Sequence, residues 1–411
     1  MKGFNAKGLK AILNDAISTS ANRQYGYDHR FDKALYFDED FINRMLAHQE
    51  EVMEACFDHL VKFSGPIFFN KFGEKPFKPV QKKTCLKLSR EQQKLNQFYS
   101  VSMNKLHQKY MPRTETSFSI IGFPVPDIGK QFEAIFDDTL ALNMIDTEHH
   151  EQIQQFIIDE LDKADFVHVK GKSGNKTDIM VKMQKLVDPF KHTNFENCGA
   201  DVNIPVGEVF TSPSLKSTNG VLHVKETYLK SMRFENLKIT FEDGYVKEYS
   251  CSNFNDEEDN KSYIQENILF PHETLPLGEF AIGTNTMAHV MSKKYNILPI
   301  MPVLIVEKMG PHFAIGDTCF SWEEDFAVFN PIDGKEISAR ENEQSAMRKT
   351  DIQKAYTNCH TDITLPYEDL DFITAITSEG EKIDIIRNGR FVIPGTGELN
   401  DPLNNFQIDN Q

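Results

Sequence analysis

Six side chains that can ligate metal ions follow one another along the second half of this 411-residue chain, each inside a distinctive local sequence. They are four carboxylates and two imidazoles: Glu208, Glu279, Glu307, His312, His360 and Asp362. Donors of this kind suit divalent cations of the zinc, cobalt or manganese sort, rather than zinc held by thiolates or calcium held by oxygen alone. The set therefore indicates the metal site of a hydrolase.

His360 and Asp362 give the clearest physical signal. They lie in the β-prone stretch 358–365, and residues i and i+2 of a strand leave the same face. The imidazole and the carboxylate should then converge on one point. Glu307 and His312 are farther apart, and in a straight strand they would face opposite ways. We expect Gly310-Pro311 to break the strand between them and to turn the imidazole back.

Glu208 and Glu279 interrupt apolar, turn-rich runs at 205–213 and 276–285. Burying an isolated carboxylate is costly unless a cation or hydrogen-bond donors compensate its charge. We therefore expect both acids to have such partners in the folded chain.

The ordered set of motifs resembles the thermophilic aminopeptidase family, the aminopeptidase T and aminopeptidase S type of metallopeptidase. The resemblance covers roughly residues 170 to 365. Its motifs, in chain order, are Gly174-Asn175-Lys176-Thr177-Asp178, Asn203-Ile204-Pro205, Gly207-Glu208-Val209-Phe210-Thr211, Gly278-Glu279, Glu307-x4-His312 and His360-x-Asp362. It implies a two-metal exopeptidase that removes the N-terminal residue from peptides, with the six residues above as ligands. A homodimer enclosing a cavity is implied by the resemblance alone.

One position departs from the family pattern. The family places a tyrosine seven residues after the ligand histidine, and here that position is Cys319. A phenol that would stabilise the tetrahedral intermediate is therefore missing from its expected place. Either Tyr356 or Tyr367 replaces it, or the metals alone polarise the carbonyl.

We expect two divalent ions, of zinc, cobalt or manganese, to share one carboxylate, Glu279, and to activate a water molecule, while Glu208 shares its proton. The substrates would be peptides with a free N-terminus. Two other functions stay open. One is a different two-metal hydrolase, acting on a phosphoester or a non-peptide amide. The other is a peptide-binding protein whose site has decayed, which the missing tyrosine would explain.

The elements that must position these residues fall into two regions. Residues 1–200 alternate helix and strand, with helices at 41–62 and 91–111, a buried strand at 66–69 and another strand at 118–123, which predicts an α/β domain with a mainly parallel sheet. Asp146 is expected to cap the helix that follows it. Residues 201–411 are rich in strands and tight turns, and they carry all six ligands. Asn219-Gly220, Asp243-Gly244 and Asn388-Gly389 predict hairpins. This second domain should be a β-rich α+β domain.

Composition excludes several classes of protein. The net charge of −16 argues against nucleic-acid binding, which needs clustered Lys and Arg. The first residues lack the apolar core of a secretory signal, and the most apolar run, 297–306, contains Pro299 and Pro302 and is too short to cross a membrane. We therefore expect a cytoplasmic protein, and its six scattered cysteines fit reduced thiols.

Overall fold

A computed structural model describes residues 31–74, 86–172, 174–230 and 232–409. Within these residues the chain has a mixed α/β fold with several sheets. The strands are β1 Ile67–Phe72, β2 Ser119–Pro124, β3 Ala164–Gly171, β4 Asp178–Lys182, β5 His192–Thr193, β6 Glu196–Cys198, β7 Asn203–Ile204, β8 Glu208–Thr211, β9 Ser214–Leu229, β10 Met232–Glu242, β11 Tyr245–Ser250, β12 Leu277–Gly283, β13 Pro311–Gly316, β14 Glu336–Ile337, β15 His360–Thr364, β16 Leu370–Thr377, β17 Lys382–Arg387 and β18 Arg390–Phe391. The longer helices are Glu39–Ala55, Arg90–Tyr110, Phe132–Asn143, Thr147–Leu161, Glu257–Ile264, Thr286–Tyr295 and Asp401–Asp409.

A small parallel sheet contains β1, β2 and β7 in that order. The helix Arg90–Tyr110 connects β1 to β2, which is the kind of crossover that a parallel pair requires. The prediction of a strand near residues 66–69 is confirmed, but the prediction that it is buried is wrong. Ile67, Phe68 and Phe69 are exposed, and because consecutive side chains point to opposite faces of a strand, both faces of β1 are accessible here.

The largest sheet has eight antiparallel strands in the order β11-β10-β9-β4-β3-β16-β17-β18. β3 and β4 precede residue 200, whereas their outer neighbours β16 and β9 follow it. The sheet pairing thus crosses the boundary predicted at residue 200. A short connection joins β3 to β4, which allows only antiparallel pairing, so the parallel pairing predicted for the first 200 residues is confined to short units such as β1-β2.

A five-stranded antiparallel sheet, in the order β15-β13-β12-β8-β6, carries most of the predicted ligands. Its central strands β12 and β13 are buried along their whole length. One face presents Phe280, Phe313 and Ile363 to the main hydrophobic core, which it shares with the eight-stranded sheet. Because side chains alternate between the faces of a strand, the polar residues between these apolar ones lie on the other face.

Two of the three predicted hairpin turns are confirmed. Asp243-Gly244 joins β10 to β11 and Asn388-Gly389 joins β17 to β18, and all four residues have positive φ as such turns require. The prediction for Asn219-Gly220 is wrong, because Gly220 lies inside β9. A Cβ there would lie 2.3 Å from the carbonyl oxygen of Asp178, so this glycine allows a close approach between strands.

The helix predictions agree with the structure at their starts. Asp146 caps the helix Thr147–Leu161 as expected, since its side chain accepts a hydrogen bond from the backbone nitrogen of His149. The helix predicted at 41–62 begins at Glu39 and is interrupted after Ala55. Within the described residues, no helix combines the length and the apolar character needed to cross a membrane.

Candidate metal centre

Five of the six predicted ligands lie on four adjacent strands of the five-stranded sheet. Glu208 begins β8, Glu279 lies in β12, His312 in β13, and His360 and Asp362 in β15. The strand predicted for His360 and Asp362 is confirmed, and their side chains converge: His360 Nε2 lies 3.2 Å from Asp362 Oδ1. Residues separated by long stretches of chain therefore meet because the sheet places their strands side by side.

The register of the sheet gives these ligands small neighbours. Ala314 lies between Glu279 and Asp362, and Ala281 lies opposite His312. Directly paired residues share a face of the sheet, and alanine side chains leave the space above that face to the longer ligands. This alternation of large polar and small apolar residues across strands creates room for ions.

The donor atoms fall into two groups that share Glu279. His312 Nε2 lies 3.4 Å from Glu208 Oε2 and 3.4 Å from Glu279 Oε1. His360 Nε2 lies 3.4 Å from Glu279 Oε2, the other oxygen of the same carboxylate. One carboxylate therefore faces two imidazoles, each with an acid of its own. This is the arrangement expected of a carboxylate shared between two cations.

The spacing of the donors fits a metal ion. Two nitrogen or oxygen ligands, each about 2.0–2.2 Å from one tetrahedral zinc ion, lie about 3.4 Å apart. The four imidazole–carboxylate distances are 3.2–3.4 Å. In addition, Glu208 Oε2 is buried and has no hydrogen-bond partner in the structure, although a buried carboxylate oxygen normally has one. The residues thus fit two divalent cations.

The electrostatics of the site reflect its crowded acids. Desolvation opposes ionisation of Glu279, but hydrogen bonds from His312 and His360 lower the pKa of its carboxyl group below the usual range. Burial disfavours the charged form of His312 as well, yet Glu279 and Glu208 raise its pKa to about 9. Burial also opposes the charged form of His360, but nearby negative charge, chiefly that of Asp362, raises its pKa above the usual value. The acids of this face therefore attract positive charge strongly.

The sixth predicted ligand, Glu307, lies at one side of the centre. It begins a short helical turn before β13, so it is not on the strand that carries His312. Its Oε1 accepts a hydrogen bond from Lys308 Nζ at 2.8 Å and a longer one from Asn203 Nδ2 at 3.5 Å. Desolvation and the charge of Glu208 raise the pKa of Glu307 to about 7, although Lys308 opposes this. Glu307 is thus linked to the centre by Lys308, which bonds to it.

Lys308 is a component of the site that the sequence did not reveal. A lysine beside an acid suggests an exposed turn, but this side chain is completely buried and also bonds to Glu208 Oε1. A glycine permits this position: a Cβ at Gly283, opposite Glu208 in the register, would lie 2.5 Å from the carbonyl oxygen of Glu307. The backbone of 307–308 can therefore lie directly on the sheet.

The two imidazoles are oriented by backbone carbonyls. His360 Nδ1 donates to the carbonyl of Asp317 at 2.8 Å, and His312 Nδ1 lies 3.4 Å from the carbonyl of Gly310. Each Nε2 is then the nitrogen left for a cation, since the bond made by one ring nitrogen fixes the role of the other. These carbonyl partners could not be identified from residue types.

Cys319 lies at the position where the family pattern has a tyrosine, and its sulfur lies next to the proposed ligands. Its Sγ is 2.7 Å from Glu279 Oε2 and 3.9 Å from His360 Nε2. Desolvation and the negative charge of Glu279 raise the pKa of this thiol well above its usual value.

The two tyrosines considered as replacements for the phenol form hydrogen bonds elsewhere. The hydroxyl of Tyr356 donates to Glu324 Oε2 at 2.9 Å, and that of Tyr367 donates to the carbonyl of Gly283 at 2.5 Å. Both side chains are buried in these positions. Of the alternatives left open by the sequence, the structure favours a centre that works without a phenol from either residue.

Comparison with known proteins identifies the family to which the chain is similar. Residues 81–391 match the family described as thermophilic metalloprotease (M29). Among solved structures, wild-type AmpT from Thermus thermophilus has a similar fold, with a TM-score of 0.53 and 15% sequence identity over 88% of this chain and 84% of that chain. None of the curated proteins compared with the chain matches it significantly.

Proposed function

Because the chain belongs to the thermophilic metalloprotease family (M29), we propose that it is a metal-dependent aminopeptidase that removes the N-terminal residue from peptides. The family assignment agrees with the resemblance that the ordered ligands predicted, and it implies use of a divalent metal. The observation that carries the proposal is the position of Glu279, whose two carboxylate oxygens each lie 3.4 Å from a different imidazole.

Each ligand has a role in this proposal. Glu208 and His312 would hold one cation, His360 and Asp362 would hold the other, and Glu279 would contribute to both. Zinc, cobalt and manganese suit these donors. When bound, the two cations would lower the pKa of a water molecule toward about 7 and polarise the scissile carbonyl.

The chain itself controls the orientation of the acids. Lys308 holds Oε1 of Glu208, so that Oε2 of this residue faces His312. Oε2 is then the oxygen through which Glu208 would bind its cation. Lys308 also holds Glu307, which keeps a second acid at the same edge of the centre. The free α-amino group of the peptide would bind to a cation or to an acid here, which restricts cleavage to N-termini.

The proposal is tested by metal analysis together with a substrate panel. The purified protein should contain about two divalent ions per chain, and a strong chelator should abolish its activity. An aminoacyl anilide should be cleaved, whereas its N-acetylated counterpart and a phosphoester should not. Cleavage of the phosphoester instead would favour another two-metal hydrolase. A protein that binds no metal and cleaves none of these substrates would have a decayed site. The homodimer and the cytoplasmic location stay predictions.

A further inference from the structure

We propose that the sulfur of Cys319 is a fourth donor to the cation on the His360 side, so that this position is a Glu-Asp-His-Cys site. The other cation, held by Glu208 and His312, would have only oxygen and nitrogen donors from the chain. This inference rests on the proposed function, since it concerns one of the two cations that the aminopeptidase would use.

The position of the sulfur carries the first step. Cys319 Sγ lies beside Oε2 of Glu279, the oxygen that faces His360, and not beside the oxygen that faces His312. Glu279, Cys319 and His360 each offer one donor atom, and these three atoms lie within 4.8 Å of one another. Asp362 Oδ1 lies 3.2 Å from the same imidazole nitrogen but outside this group of three, so it would have to move toward the ion to become the fourth donor. Sulfur, nitrogen and oxygen donors suit zinc, which takes four ligands and can expand to five when water or substrate also binds.

The distances agree with this assignment. A sulfur about 2.3 Å and a nitrogen about 2.0–2.1 Å from one tetrahedral zinc ion lie about 3.6 Å apart. Cys319 Sγ and His360 Nε2 are 3.9 Å apart. The sulfur is nearer to Glu279 Oε2, at 2.7 Å, so an ion entering between them would push these two atoms apart. Cys319 is an exposed residue, which leaves room for this movement.

The loop that carries Cys319 also fixes His360. The carbonyl of Asp317 accepts the hydrogen bond from His360 Nδ1, and the backbone nitrogen of Asp317 donates to the carbonyl of Cys359 at 2.7 Å. The carboxylate of Asp317 accepts hydrogen bonds from the backbone nitrogens of Thr357 and Asn358. The segment around Cys319 is therefore tied to the start of β15. The positions of the Cys319 sulfur and the His360 imidazole are therefore fixed relative to each other, as expected of two donors to a common ion.

The chemistry of the side chain explains why a thiol differs here from a phenol. A cysteine side chain ends one atom beyond Cβ, so its sulfur stays among the metal ligands instead of extending over a bound substrate. As the sulfur–metal bond forms, the S–H bond breaks and its proton leaves to solvent, with no change of oxidation state. The resulting thiolate favours zinc or cobalt over manganese or magnesium at this position.

The test uses cobalt(II) as a spectroscopic probe in the full-length protein. The wild-type protein loaded with cobalt should show a near-ultraviolet band from thiolate-to-cobalt charge transfer, in addition to the visible bands of bound cobalt. Cys319→Ser should lose the near-ultraviolet band and keep the visible bands, which would also show that the variant is folded. Cys56→Ser is the matched control, because Cys56 is an exposed thiol at the end of the helix Glu39–Ala55, and it should keep both sets of bands.

The outcomes separate this inference from the proposed function. Cobalt-loaded protein that cleaves aminoacyl anilides but has no charge-transfer band would overturn the cysteine ligand and leave the aminopeptidase intact. An equally strong band in Cys319→Ser would overturn the cysteine ligand as well. If cobalt does not bind at all, both proposals are wrong. As a second measurement, alkylation of Cys319 by iodoacetamide should be lost when cobalt is bound, while alkylation of Cys56 should be unchanged.

Discussion

The ammonium group of Lys308 and the carboxylate of Glu208 form an ion pair in which the lysine side chain is completely buried and the glutamate side chain is 7% exposed. The same ammonium group bonds to Glu307, so one positive charge of the chain serves two acids of the centre. Burying charges is costly, and three groups buried together are tolerated because each compensates another. Lys308 therefore supports the acids in the absence of any ion.

Lys308→Met should destabilise the protein strongly. The methionine has a similar length but leaves two buried carboxylates without their cation, and breaking a buried ion pair in this way costs about 3–5 kcal/mol. Urea denaturation of the metal-free protein measures this loss. Lys261→Met is the control, since Lys261 pairs with Glu257 on the surface and should be almost neutral. Equal stability of the two variants would contradict the role assigned to Lys308.

Glu279→Gln should abolish turnover while leaving the fold intact. The amide has nearly the same shape as the carboxylate, but it lacks the negative charge and one of the two oxygens that face His312 and His360. We expect a large fall in kcat together with loss of bound metal, measured by elemental analysis. Glu398→Gln, which alters a surface contact with His149, should change neither quantity. A Glu279→Gln enzyme with full activity would require a different site.

His360→Ala should also abolish activity, because it removes a donor to the cation shared with Asp362. The far-ultraviolet circular dichroism spectrum should be unchanged, since His360 lies at the start of β15 and its side chain is 34% exposed. His107→Ala, in the helix Arg90–Tyr110, should be nearly silent in the same anilide assay. Comparable kcat values for the two variants would remove His360 from the centre.

Tyr356→Phe and Tyr367→Phe should keep the wild-type kcat, because both hydroxyls donate to protein acceptors away from the ligands. An oxyanion donor would instead be worth about 10²–10³ in kcat. Each substitution should lower the free energy of unfolding by roughly 1 kcal/mol, the usual net value of one hydrogen bond. A hundredfold fall in kcat for either variant, with stability little changed, would restore the phenol to the mechanism.

Acid should weaken the contacts that Glu368 makes with His289 and Lys293. Desolvation opposes ionisation of Glu368, but His289 and Lys293 lower the pKa of its carboxyl group below the ordinary value. A carboxyl group with a depressed pKa stabilises the fold above its unfolded pKa of about 4.3, and this stabilisation is lost as the pH falls further.

The measurement compares wild type with Glu368→Gln. The difference in their free energy of unfolding, from urea denaturation, should be present at neutral pH and should shrink as the pH falls below that value. Glu257→Gln, at a surface pair, should show a much smaller difference at every pH. A difference that grows in acid would have the wrong sign for this interaction.

Local sequence predicted the parts of the site that depend on local geometry. Alternation along a strand placed His360 and Asp362 together, and the N-cap at Asp146 and the turns at Asp243 and Asn388 follow from short-range hydrogen bonding and positive φ. The order of strands in a sheet depends on packing between distant segments. The pairing of β3 with β16 therefore lay outside what residue types reveal.

The same limit explains the errors around particular residues. Asn219-Gly220 has the composition of a hairpin turn, but the glycine is needed for the approach of β4, which only the folded sheet shows. Lys308 is of a residue type that usually lies on the surface, and its burial follows from the two acids that converge on it. Polar residues inside a site are held by partners that are far away in sequence. The residues next to them in the chain therefore do not predict whether they are buried.

The distribution of ligands over β8, β12, β13 and β15 has a consequence for folding kinetics. None of these strands can bind an ion firmly alone, since each contributes at most two donors. Non-local strand pairing of this kind carries a large loop-closure entropy and is slow to form. We therefore expect ion uptake to follow assembly of the sheet instead of nucleating it. Added metal should slow unfolding and leave the refolding rate of the chain unchanged.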